Sequence, residues 1–142
     1  MKQFLVILLG ISLWGCFAYD PPAQTITIRN NTAFNIIVLI SYSDTLNVSQ
    51  IEKTFGKESV NSFKKITSSE NYIKTNSNND IGLLYWKMSN NYDNKIRIYI
   101  FKEEIVKNNN WEFIVANHLY EKISISLNKL KSERWHVIIP QL

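Results

Sequence analysis

Residues 35–42, NIIVLISY, set the hardest condition on how this chain can fold. In extended conformation Ile36, Val38 and Ile40 share one face, and Ile37 and Leu39 share the other. The run is eight residues long, rich in β-branched side chains and bounded by turn signals, so it suits a strand rather than a helix. A strand that is apolar on both faces belongs in the middle of a sheet. Residues 95–101, KIRIYIF, form the clearest strand, with Ile96, Ile98 and Ile100 turned to the core and Arg97 facing out beside Tyr99. Residues 25–29 (TITIR) and 122–127 (KISISL) alternate in the same way, placing Ile26, Ile28, Ile123, Ile125 and Leu127 inward. Residues 135–139 (WHVII) make a closing strand that Pro140 ends.

The connections are polar. Asn30, Asn31 and Thr32 read as a turn, because Asn tolerates positive φ and bonds its own backbone; that turn would join the first two strands as a hairpin. Residues 49–55 can form a helical turn, and residues 59–66 read as a strand anchored by Val60 and Ile66. Residues 67–80, dense in Asn and Ser, read as a long loop, and residues 81–88 as a short strand. One helix is expected. Trp111, Ile114, Val115 and His118 fall at i, i+3, i+4 and i+7, with Asn110 as N-cap and Glu112 in the first turn, giving a short amphipathic helix to about Tyr120. Ser126 can cap a further turn through Lys131. Strands joined by polar turns, with few helices, predict a mainly β domain over residues 25–142, a small antiparallel β-sandwich with one short amphipathic helix.

Ahead of that domain, Lys2 precedes an apolar run over residues 4–13 that is too short for a bilayer core, which needs roughly 20 residues. A charged start, an apolar run and a small residue at the cut make a secretory signal peptide. Leu13-Trp14-Gly15-Cys16 resembles the lipobox of bacterial lipoproteins, although Trp14 stands where a small or β-branched residue is usual. The resemblance implies cleavage after residue 15 and lipidation of Cys16, with residues 16–24 as a lipidated tether that Pro21 and Pro22 keep extended. Three acyl chains exceed the two-signal threshold for a stable membrane anchor. The alternative is an ordinary signal peptide cut near Ala18. Cys16 is the only cysteine, so no intramolecular disulfide can form and stability must come from packing.

The chain carries 16 Lys and Arg against 12 Asp and Glu; loss of Lys2 with the signal leaves 15 against 12, a net +3. The basic residues are scattered, densest at Lys64-Lys65 and at Lys129, Lys131 and Arg134, which argues against a nucleic-acid partner. There is no zinc-binding histidine motif, no nucleophile elbow and no phosphate loop. His118 on the helix's apolar face and His136 pointing out from a strand read as structural, and Glu103 and Glu104 as diverging surface charges. No catalytic residue, metal site or cofactor is expected. Trp111 and Trp135 are in phase with apolar sets and read as core, whereas Tyr85 and Trp86 adjoin a polar loop and are the candidates for surface recognition.

The order of KIRIYIF, Asn-Trp-Glu and KISISLNKLKSERWHVIIP resembles the C-terminal half of small uncharacterised lipoproteins of Bacteroides and related bacteria. Phe101, Trp111, Ser126, Leu127, Leu130, Trp135 and Pro140 carry the likeness. It implies an outer-membrane lipoprotein address and a small β-rich domain, and brings no activity with it. Surface export in such bacteria is linked to acidic residues soon after the lipidated cysteine; the lone Asp20 therefore favours the periplasmic side. The expected function is a non-enzymatic cell-envelope lipoprotein that binds or supports another envelope protein or glycan. The alternative is an immunity- or inhibitor-type lipoprotein that binds a toxin or hydrolase.

Overall fold

The computed structural model describes residues 24–57, 63, 65–83 and 93–141. Cys16, the signal and most of the tether lie outside the described residues, as do Tyr85 and Trp86. The chain is mainly β, with two mostly antiparallel sheets and a few short helices. In chain order the elements are β1 (Gln24–Asn30), β2 (Ile36–Ser41), α1 (Val48–Phe55), β3 (Tyr72–Ile73), β4 (Asn78–Leu83), β5 (Lys95–Lys102), α2 (Glu103–Asn108), α3 (Trp111–Ala116), β6 (Glu121–Ser126), α4 (Leu127–Ser132) and β7 (His136–Ile139). One sheet has the order β4-β1-β7, the other β3-β2-β5-β6. Among the described residues every pair is antiparallel except β1 with β7, which run parallel with Thr27 beside His136.

The two-faced strands β2 and β5 lie side by side in the middle of the four-stranded sheet, Val38 opposite Ile100. Their even-numbered residues meet the three-stranded sheet: Val38 and Ile98 share a buried cluster with Ile26, Ile28 and Val137. Their odd-numbered residues meet the helices: Ile37, Leu39, Tyr99 and Phe101 pack with Phe55 of α1 and Trp111 of α3. Trp111 is fully buried, stacked on Phe55 at 5.7 Å between ring centres and edge-on to Phe101 at 5.7 Å, with its indole N–H donating to the Gly56 carbonyl (3.2 Å). Tyr99 is therefore not beside solvent, and Arg97 is also buried; the second face of β5 is roofed by helices that the strand's own pattern could not reveal.

Caps fall where the side chains predict. The Asn110 carboxamide oxygen accepts from Phe113 N–H (2.8 Å) and the Ser126 hydroxyl from Lys129 N–H (3.3 Å), while Asn47 caps α1 through Gln50 N–H (2.9 Å). Other expectations are corrected. Among the described residues α2 is a helix where none was read, α1 and α4 are helices where single turns were read, and residues 63 and 65–67 are helical rather than extended, with Ile66 buried in the helical layer. The supposed loop over residues 67–80 contains β3 and the start of β4, and of the strand expected over residues 81–88 the described part belongs to β4. α3 stops at Ala116, because Leu119 N–H turns back to the Ile114 carbonyl (2.9 Å) and His118 adopts a φ of 51°.

The largest correction concerns β1 and β2, which do not form a hairpin but lie in different sheets. The cause is Asn30, which is fully buried. Its amide nitrogen donates to the carbonyls of Phe34 (2.9 Å) and Ile73 (3.1 Å). Its amide oxygen accepts from the backbone N–H (2.9 Å) and the hydroxyl (2.7 Å) of Thr32. The turn therefore folds around Asn30 as a corner that carries the chain from one sheet to the other, with β3 bonded to the same side chain. Asn30→Asp keeps the shape and the acceptor but loses both donors, leaving two carbonyls facing a carboxylate. It is expected to cost at least about 2 kcal/mol in urea denaturation at neutral pH. Burial raises the pKa of such a carboxyl, so the deficit relative to wild type should shrink as the pH falls and the group protonates. An equally stable variant would show that the corner does not depend on the amide.

Candidate functional site

The two sheets are joined differently along their two sides. On the β3/β4 side, side-chain amides stitch them together: Asn79 donates to the Tyr72 carbonyl (2.7 Å) and Asn30 to the Ile73 carbonyl (3.1 Å). On the other side lie β6 and β7, the outer strands of their respective sheets, connected by α4. Among the described residues nothing pairs with the outer edge of either strand. Between them runs a groove of about 440 Å³. Ile123, Ile125, Leu130 and Val137 give it an aliphatic lining, and Lys129, Glu133 and His136 contribute its polar groups. Ile138, also lining it, is 59 % exposed, the most exposed large apolar side chain among the described residues. A volume of a few hundred Å³ lined by apolar side chains with few polar groups is typical of a binding cleft.

The end of β6 is tied down by ions. Arg97 of β5 is 6 % exposed; its guanidinium reaches Asp44 (Nε to Oδ1, 3.1 Å) and pairs with Asp93. Lys122 of β6 reaches the same Asp44 oxygen (3.3 Å), and the Tyr99 hydroxyl donates to the Asp44 carbonyl (2.9 Å). Bonds from Lys122 and Arg97 hold the Asp44 carboxyl below its ordinary range, and Arg97 does the same for Asp93. Burial pushes the Tyr99 phenol up. The Arg97 cluster fixes the loop after β2 to the two strands that carry the groove's wall.

The histidines sit in separate depressions. His118, exposed and just past α3, lies with Lys102, Tyr120 and Glu121 at a pocket of about 230 Å³, its Nδ1 3.3 Å from the Tyr120 hydroxyl. His136 lies in the larger groove with Glu133, its Nδ1 2.8 Å from the Arg134 carbonyl, which fixes the proton on that nitrogen. Each depression thus pairs a histidine with a glutamate, the minimum an acid–base site would use, yet among the described residues no carboxylate is hydrogen-bonded to either ring. Among the described residues no three potential ligands gather as a metal centre. Glu103 is not a free surface charge. It is half-buried at the start of α2, where Oε2 accepts from the Asn35 amide (2.6 Å) and the Tyr72 hydroxyl (3.0 Å). Burial and that carboxylate raise the Tyr72 pKa.

Trp111 is core as expected, and Trp135 is half-buried against the inter-sheet cluster. Neither the groove nor the Arg97 cluster stood out in the sequence. The only prior signals were a charged residue inside an isoleucine strand and a large apolar residue, Ile138, on the outward phase of the last one. Compared with family models, curated proteins and solved structures, the chain matches none.

The depressed carboxyls have a defined consequence. A carboxyl whose folded pKa lies below its unfolded value stabilises the fold above the unfolded value, near pH 4, and loses that contribution as the pH falls through the folded one. Arg97→Met should therefore lower Tm at neutral pH, and its deficit against wild type should narrow between about pH 4 and pH 2. A deficit that stays constant across that window would mean the ion pairs add nothing.

Proposed function

We propose that the chain is a non-enzymatic lipoprotein of the cell envelope, held to the outer membrane through Cys16, whose β-rich domain binds another envelope component. The reading extends to a sandwich-like domain behind a cleaved signal peptide, in the manner of the Bacteroides lipoproteins it resembles. The groove between β6 and β7 is the observation that carries it: a cleft of a few hundred Å³ with an aliphatic lining, open between two unpaired strand edges and bordered by the exposed Ile138, suits a binding surface. The histidines, each without a carboxylate bonded to it among the described residues, favour binding over catalysis. Crosslinking in intact cells followed by pull-down should recover one dominant membrane partner from wild type and lose it from Cys16→Ala. An enzyme recovered there and silenced by the domain would make it an inhibitor of that enzyme. A turnover abolished by His118→Ala with His136→Ala in a folded protein would overturn the non-enzymatic reading.

A further inference from the structure

The hydrogen-bond parity of the two outer strands shows what the groove can hold. Leu127 N–H donates to the Asn94 carbonyl (2.9 Å), in register with the β5–β6 ladder that pairs Ile125 with Ile96. In an antiparallel ladder bonded pairs alternate, so residues 121, 123 and 125 bond to β5, while Lys122 and Ser124 turn their N–H and C=O groups outward. In β7 the carbonyls of Trp135 and Ile139 accept from Thr27 (2.9 Å) and Asn31 (3.1 Å), which leaves the backbone of Ile138 turned away from β1. The groove is therefore flanked by outward-facing backbone donors and acceptors from both sheets. Those of β6 repeat at two-residue intervals, about 6.8 Å apart, the spacing of an extended polypeptide.

Three further observations narrow the occupant. The groove's apolar lining is Ile, Leu and Val with no Trp, Tyr or Phe, which suits aliphatic side chains better than sugar faces, since these stack on aromatic rings. Ser124 is small and exposed, β6 carries no proline that would blunt the edge, and its one lysine, Lys122, is drawn aside onto Asp44. Over residues 121–136, Lys122, Lys129, Lys131 and Arg134 face Glu121 and Glu133, and with Asp44, which holds Lys122, the balance is four cations to three carboxylates, so the neighbourhood keeps a slight preference for negative charge.

We propose that the outer edge of β6 takes an extended, acidic segment of an envelope protein as an added strand, with alternate apolar side chains laid into the groove. The proposal rests on the binding-module reading and specifies its partner. The added segment bonds through its backbone to Lys122 and Ser124. Its inward residues pack on Ile123, Ile125 and Ile138, and its carboxylates lie toward Lys129, which lines the groove.

The test places the photoreactive residue p-benzoylphenylalanine at Ile138 or at Ser124 in the full chain, in cells that also express the untagged wild type. Irradiation should attach both positions to one polypeptide, within one stretch of under about ten residues, a strand's length, that alternates apolar and acidic residues. Ser124→Pro deletes only an outward N–H and so should leave the fold intact, while lowering the adduct yield at position 138 by about tenfold or more. An undiminished yield in the proline variant overturns strand addition, as does an adduct with a second copy of this chain or with a glycan. No adduct at either position, with the Cys16-dependent partner still recovered by general crosslinking, overturns this inference and leaves the binding reading standing. Loss of that partner as well overturns both.

Discussion

The burial of one carboxamide, that of Asn30, decides how this chain's two sheets are connected. Both of its polar atoms are fully used, four bonds in all, and they reach three parts of the corner: two go to Thr32 in the turn that follows β1, one to the entry of β2 and one to the carbonyl of β3. A buried amide with all its partners is stable only in the geometry that supplies them. That geometry forbids the short hairpin that the two strands would otherwise make. β1 is left to pair with β4 and, in parallel, with the last strand of the chain, while β2 pairs with β5.

The same corner makes the domain asymmetric. Asn30 and Asn79 close the β3/β4 side with side-chain bonds across the sheets. The β6/β7 side is bridged by α4, whose Leu130 enters the core between the sheets while Lys129 and Glu133, the residue that follows the helix, border the groove. Arg97 and Lys122, both converging on Asp44, hold the neighbouring loop so that the wall of the groove is firmly based. A rigid frame with one open side is a suitable platform for binding, since an occupant need not pay to order it.

Strand identity was legible in the sequence because alternation and two-faced apolar runs are local signals: β1, β2, β5, β6 and β7 sit where their patterns place them. The caps at Asn110 and Ser126 were legible for the same reason. What could not be read was which strands neighbour one another. The pairing of β1 with β7 spans more than a hundred residues, and nothing in TITIR marks it as parallel. Of the helices, α1, α3 and α4 lie where a helical turn, a helix and a capped turn were read, whereas α2 was hidden because six residues give fewer than two turns of periodicity. Polar residues with partners distant in the chain misled most. Arg97 and Glu103 look like surface charges in one dimension, and only the fold shows the aspartates, amide and phenol that hold them. The candidate groove belongs to the same class, because Ile123 and Val137 come together through sheet stacking alone.

Native-state hydrogen exchange of individual amides tests most directly whether the β6/β7 side is open. Inward-bonded amides of Ile123 and Ile125 should exchange slowly, at rates set by opening of the sheet, while the outward amides of Ser124 and Ile138 should exchange orders of magnitude faster in the purified protein. Protection of Ser124 and Ile138 equal to that of their neighbours would mean that the edge is already covered, and the account of an open binding side would fail.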